Sequence, residues 1–317
     1  MPDPLLLTAT GGTASPARVL PAARTAFRIG VVQLGWHEDP AKHEAAVASC
    51  VRLAARHGAR LICLPELTLL PYFPIRPDAD VSGAAEDIPG GPTCRLAQRL
   101  ADETNAFVHA SLFERAPDGG LGYDTAIVAG PGAGIVAQTR KLHIPRTAGY
   151  HEDRYFRPGP PDRAYPVIGI EQARFGFPTC WDQWFPELAR AYALRGADVL
   201  VYPTAIGSEP DHPGFDTAPL WEQVIVANGI MNGTFMVAAN RVGREGGLTF
   251  YGSSFVSDPY GRKLVQAPRD QPAVLVADLD LDQRRDWLDL FPFLGTRRPE
   301  AYGVLVEREA TVPYSAR

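Results

Sequence analysis

The order of apolar segments predicts an α/β protein in which sheets are covered by helices, and three observations carry that expectation. Short β-branched runs alternate with stretches at helical spacing both early and late in the chain. Between them, short strands separated by Gly-rich turns read as an antiparallel meander. No fixed-period repeat or internal linker breaks the pattern, so a single domain is expected over residues 26–317. Residues 1–25, rich in Ala, Pro, Gly and Thr without periodicity, read as a flexible or loosely docked arm.

The first strand is expected at 27–34, a β-branched run of the buried kind. A helix follows over 40–57, with Ala46, Val47, Cys50, Val51 and Ala54 at helical spacing and Gly58 as its stop. The strand at 61–64 ends in Pro65-Glu66, and Gly90-Gly91-Pro92 opens a helix that runs to Asn105. Strands at 107–113, 123–129 and 134–139 form the meander and lead into Arg140-Lys141-Leu142-His143. The loop beyond it mixes aromatic and charged residues, Tyr150-His151-Glu152 and Tyr155-Phe156-Arg157, and suits the wall of a cleft. After Cys180 come a helix from Glu187, a strand at 198–202 that breaks at Pro203-Thr204-Ala205, a helix at 218–232 and a strand at 234–239. The pair 250–257 and 262–266 flanks the turn signal Asp258-Pro259-Tyr260-Gly261, and 273–279 is the last strand.

A composition of 45% hydrophobic and 21% charged residues suits a soluble globular chain with a large core. The net charge is −5 without a dense Lys/Arg block, which disfavours nucleic acid as a partner. Cys50, Cys63, Cys94 and Cys180 stand far apart, with no C-x-x-C pair and no His at metal-ligand spacing, so a reduced, cytoplasmic protein without a metal is expected. The Leu5-Leu6-Leu7 run is too short for a membrane span or a signal peptide.

The chemistry centres on Cys180. An apolar run stops there and Pro186 opens a helix, so the thiol sits on a strand-to-helix turn whose backbone N–H groups face an incoming carbonyl oxygen. Free cysteines are usually small buried hydrophobes, but Trp181, Asp182, Gln183 and Trp184 make better pocket than core material. Glu66 and Lys141 also stand after strands. Taken alone, the first would be a cap or loop charge and the second a surface lysine.

Together Glu66, Lys141 and Cys180 resemble the Glu-Lys-Cys set of the carbon–nitrogen hydrolase (nitrilase) superfamily. The resemblance rests on Leu64-Pro65-Glu66-Leu67, Arg140-Lys141-Leu142-His143-Ile144-Pro145 and Cys180-Trp181-Asp182-Gln183-Trp184-Phe185-Pro186-Glu187. Within the superfamily the chain is similar to the N-carbamoylputrescine amidase branch, through Tyr202–Pro210, Asn240-Arg241-Val242-Gly243, 250–255 and Arg297-Arg298-Pro299-Glu300. It implies a four-layer αββα sandwich, a homodimer paired through its helical layers or a larger homo-oligomer, no metal or organic cofactor, and a small-molecule substrate.

The resemblance further implies a cysteine amidohydrolase acting on an N-carbamoyl amine or N-carbamoyl amino acid. Cys180 is its nucleophile, Glu66 its base and Lys141, with the N–H beside Trp181, its oxyanion stabiliser. Glu152 matches a second glutamate that positions Lys141 or the leaving ammonia. Trp181, Arg146, Tyr150, Thr204 and Ala205 are expected to contact substrate. Arg146 stands where the family usually carries acidic residues, and at a pocket mouth it would favour a carboxylate tail over an ammonium. The same triad serves ω-amidases and nitrilases, and a catalytically silent scaffold would keep the same fold.

Overall fold

The computed structural model describes residues 3–307. Strands in chain order are β1 (Leu5–Ala9), β2 (Phe27–Gln33), β3 (Leu61–Cys63), β4 (Phe107–Glu114), β5 (Tyr123–Gly130), β6 (Gly134–Arg140), β7 (Ile168–Ile170) and β8 (Ala173–Gly176). They continue with β9 (Val199–Thr204), β10 (Phe235–Asn240), β11 (Val242–Glu245), β12 (Leu248–Tyr251), β13 (Phe255–Ser257), β14 (Lys263–Gln266) and β15 (Ala273–Leu279). The α-helices are α1 (Pro40–Arg56), α2 (Pro92–Thr104), α3 (Pro186–Leu194), α4 (Ala218–Asn232) and α5 (Asp282–Leu290).

Two sheets result, ordered β1-β15-β2-β3-β4-β5-β6 and β14-β13-β10-β9-β8-β7, with β11-β12 as a separate ribbon. Side-chain alternation explains how they stack, because successive residues of a strand point to opposite faces. Ile29 and Val31 of β2 meet Phe175, Val199, Val201 and Val237 of the second sheet in a shared inner core. Val32, one residue out of phase, packs instead with Val47, Val51, Leu96 and Leu100 of α1 and α2. Leu200 and Tyr202 of β9 likewise turn outward onto Leu188, Trp221 and Ile225 of α3 and α4. The layers therefore run helix, sheet, sheet, helix, and each fully buried Val, Leu, Ile or Phe contributes roughly 1.5–3 kcal/mol.

Helix limits follow the local chemistry. Asp39 caps α1 by accepting from Ala41 N at 3.0 Å and Lys42 N at 3.3 Å. Gly233 ends α4 at φ +61, where a Cβ would stand 2.9 Å from Leu288 Cγ, so both conformation and space call for glycine.

The structure departs from expectation in three places. The arm expected over 1–25 is docked along much of its length: β1 adds to the first sheet in parallel register with β15, from Leu5 opposite Ala273 to Ala9 opposite Ala277. Arg18 pairs with Asp280 and Asp286, and Arg24 with Asp198 and Asp282. Five residues without polar–apolar alternation are too few to announce a strand when the partner is more than 260 residues away. The second departure is the run 250–257, which splits because Gly252 and Ser253 adopt φ +54 and +56; β12 pairs with β11, and only β13 joins the sheet. The third is α5, for which no helix was expected.

Candidate active site

Each member of the Glu-Lys-Cys set follows a strand. Glu66 follows β3, Lys141 follows β6 directly, and Cys180 follows β8 after Phe177-Pro178-Thr179. Cys180 opens a 3-10 turn, Cys180–Trp184, with φ +39, a left-handed conformation that is strained for a residue with a Cβ. Asp182 holds this turn by accepting from Thr179 N at 3.1 Å. It also accepts from His143 N at 3.0 Å, which ties the cysteine loop to the lysine loop. Arg241 anchors the glutamate loop, donating to the carbonyls of Glu66 at 3.1 Å and Leu67 at 2.8 Å.

These ties bring together four acidic and basic groups that are distant in sequence. Lys141 Nζ lies 2.7 Å from Glu66 Oε1, 2.6 Å from Glu152 Oε2 and 3.4 Å from Asp124 Oδ2, with all four side chains buried. One oxygen from each carboxylate lies within 4.8 Å of the others, a set that would suit a cation; the cation they surround is the Lys141 ammonium. The Tyr72 hydroxyl donates to Glu152 Oε1 at 2.7 Å.

Electrostatics links Cys180 to this group. Burial pushes its thiol well up, the Glu66 charge pushes it further, and Lys141 and the N–H of Ala205 pull it back. Burial likewise raises the Glu66 carboxyl well above the usual carboxylate range; Lys141 opposes this, while Asp124 and Glu152 reinforce it. Burial works against the charge on Lys141, but Glu152 and Glu66 outweigh it and hold the lysine protonated. The arrangement can therefore pair a nucleophile with a proton acceptor and a fixed positive charge.

Cys180 opens onto a cavity of about 290 Å³, lined by Pro145, Thr147, Tyr150, Glu152, Cys180, Trp181, Trp184, Ala205, Ile206, Glu209, Thr217 and Leu220. Of the expected substrate contacts, Trp181, Tyr150 and Ala205 face it. Thr204 does not: it is buried in β9, and its hydroxyl donates to the Tyr202 carbonyl at 3.1 Å. Arg146 also stays outside the lining. Its side chain is 80% exposed and 3.5 Å from Asp153, so the premise for a carboxylate preference is absent.

Two acidic groups escaped the sequence reading. Glu209 lies inside the Tyr202–Pro210 segment already singled out, yet nothing in its neighbours distinguishes it from a loop charge. Asp124 left a clearer signal, a carboxylate at the second position of the mostly apolar strand run 123–129, where charge is costly unless paired.

The family model for carbon-nitrogen hydrolases matches residues 28–289. The chain belongs to the carbon-nitrogen hydrolase family. This hydrolase is 37% identical over 289 residues to a citrullinase of Francisella tularensis, covering 89% of the chain and 99% of that relative. It is 36% identical to an N-carbamoylputrescine amidase of Solanum lycopersicum, covering 90% of the chain and 96% of the relative. Among solved structures, a carbon-nitrogen hydrolase from Helicobacter pylori G27 superposes with a TM-score of 0.82 at 31% identity, covering 90% of the chain and 100% of that structure. The protein is thus a nitrilase-superfamily hydrolase acting on carbon–nitrogen bonds other than peptide bonds. No helix among the described residues is long and apolar enough to cross a membrane.

Proposed function

We propose that this hydrolase removes ammonia from the carbamoyl group of an N-carbamoyl amine whose far end carries an ammonium. The observation that carries the reading is Glu209, a carboxylate lining the same cavity as Cys180. Thr217 donates to it at 3.3 Å, and it has no Lys or Arg partner among the described residues. Burial holds its carboxyl above the usual range, which is the state of a charge waiting for a counter-ion. No Lys or Arg lines the cavity, so a substrate carboxylate would find no partner. This favours a plain amine tail over an amino acid, and the small cavity favours a short one.

The reaction follows from the residue types. Cys180 Sγ attacks the carbamoyl carbon while Glu66 takes the thiol proton. Lys141 and the Trp181 N–H stabilise the oxyanion, contacts of a kind worth several kcal/mol in a pocket that excludes water. Glu66 returns the proton to the departing ammonia, leaving a carbamoyl thioester on Cys180. Water, deprotonated by Glu66, then releases a carbamate that decomposes to CO2 and the amine. The α3–α4 layer, where Leu194 and Met231 are exposed, is the face through which two copies are proposed to pair.

Ammonia release measured with carbamoylputrescine, citrulline and carbamoyl-β-alanine tests the assignment. Carbamoylputrescine should have the highest kcat/KM of the three; a higher value for either carboxylate-bearing substrate would return the choice to an N-carbamoyl amino acid.

A further inference from the structure

Glu66 faces a mismatch as a base. An ordinary carboxylate titrates about four pH units below an ordinary thiol, and proton transfer is efficient only when the two affinities approach each other. The environment of Glu66 must close that gap, and one neighbour is placed to do so without taking part in the bond changes.

The Lys141 ammonium serves three carboxylates unequally. It makes short contacts to Glu66 and Glu152 at 2.7 and 2.6 Å, but stands 3.4 Å from Asp124. Glu152 has a second short donor in the Tyr72 hydroxyl. Besides its long contact with Lys141, Asp124 accepts from the Ser111 hydroxyl, at 3.0 Å from Oδ1, and that hydroxyl accepts from Leu67 N at 3.0 Å, which leaves its proton aimed at Asp124. Asp124 is therefore the carboxylate that the ammonium shields least, fully buried, with an oxygen within 4.8 Å of one from Glu66. The other groups facing Glu66 are Lys141, Glu152, the Cys180 thiol and the Tyr72 hydroxyl. Arg241 touches only the Glu66 carbonyl and gives its charge to Glu245 at 2.6 Å.

We infer that Asp124 is a positioning residue of the catalytic centre, whose weakly shielded negative charge beside Glu66 drives Glu66 to accept the Cys180 proton and to hold it until the departing ammonia collects it. The inference rests on the reaction proposed above. The proton moves from Sγ to Glu66 and from Glu66 to nitrogen, so Asp124 acts through Glu66 alone and no co-reactant is needed. After burial and against the pull of Lys141, the charge of Asp124 is the largest influence raising the Glu66 carboxyl.

The test is the pH profile of kcat/KM for the wild type, Asp124→Asn and Asp124→Glu, using carbamoylputrescine. The base must be ionised, so kcat/KM rises with pH through the Glu66 titration. Removing the Asp124 charge makes Glu66 easier to ionise, and the acid limb of Asp124→Asn moves to lower pH by about one unit, a tenfold change in proton affinity. Asp124→Glu keeps the charge and keeps the limb near the wild-type position. Asp124→Ser, also neutral, replaces the amide if that variant does not fold. A limb that superimposes on the wild type, moves to higher pH, or moves equally in Asp124→Glu overturns the inference. Turnover surviving in Cys180→Ala or Glu66→Gln would instead overturn the reaction itself, whatever Asp124→Asn does.

Discussion

Asp182, two residues past the nucleophile, accepts a hydrogen bond from the ring Nδ1 of His143, two residues past the lysine, at 2.8 Å. The carboxylate is buried and also receives the backbone N–H groups of Thr179 at 3.1 Å and His143 at 3.0 Å. One side chain thereby sets the distance between the thiol loop and the ammonium loop. Phe185 stacks on the His143 ring at 3.6 Å between centroids and keeps it in place.

Asp182→Ala leaves these donors without an acceptor, at a cost of roughly 1–3 kcal/mol for each buried group left unpaired. Its thermal midpoint should fall by several degrees, and kcat should fall at temperatures where the variant is still folded. Asp182→Asn, which keeps one acceptor oxygen, should lie between the two. A variant as active and as stable as the wild type would show that the loops are held by other contacts.

Cys180→Ala should abolish turnover and leave the fold intact, because the change deletes the nucleophile and little packing. Loss of covalent catalysis should exceed the roughly hundredfold effect of losing one acid–base contact. Circular dichroism and an ammonia assay check both halves, and residual activity above about one hundredth of the wild type would remove Cys180 from its role.

Glu209→Gln should lower kcat/KM for carbamoylputrescine through KM. A hydrogen bond to a charged group contributes about 1.5–3 kcal/mol, which corresponds to a loss of about tenfold to a hundredfold. The loss should be smaller for a carbamoyl substrate with an uncharged tail, and equal losses on both would mean that Glu209 does not read the ammonium. Arg146→Asp, at an exposed position outside the cavity, should alter the preference little.

Stability should fall in acid because of His109. The ring is buried between the sheets, stacked on Phe177, and neither nitrogen has a partner, so burial lowers its pKa to about 3. The unfolded chain takes up this proton near pH 6.5 and the folded chain does not. Its contribution is therefore complete above about pH 6.5 and declines toward about pH 3, at about 1.4 kcal/mol per pH unit. Urea titrations across that window should show a shallower decline in His109→Phe, and parallel slopes would exclude this source.

Truncation of the first 24 residues should destabilise the protein. It removes β1, bares the β15 edge, and deletes the ion pairs of Arg18 and Arg24 with Asp280, Asp286, Asp198 and Asp282. Thermal melting checks this, and an unchanged midpoint would mean that the segment is bound without consequence.

Much of this protein was legible in local chemistry. The strand before Glu66, the meander before Lys141 and the turn at Cys180 each announce themselves through apolar runs that end in Pro, Gly or polar clusters. Their motifs point to the family and to the Glu-Lys-Cys chemistry. Tertiary structure alone decided the rest, because it depends on which distant segments meet. Leu5–Ala9 became a strand only because β15 offered it an edge, and Arg146 lost its expected role when its loop turned it to solvent beside Asp153. The roles proposed for Glu209 and Asp124 rest on charge in confinement. A carboxylate in a loop or strand is unremarkable in sequence, and its meaning changes when folding strips away water and sets it beside a thiol, an ammonium or another carboxylate.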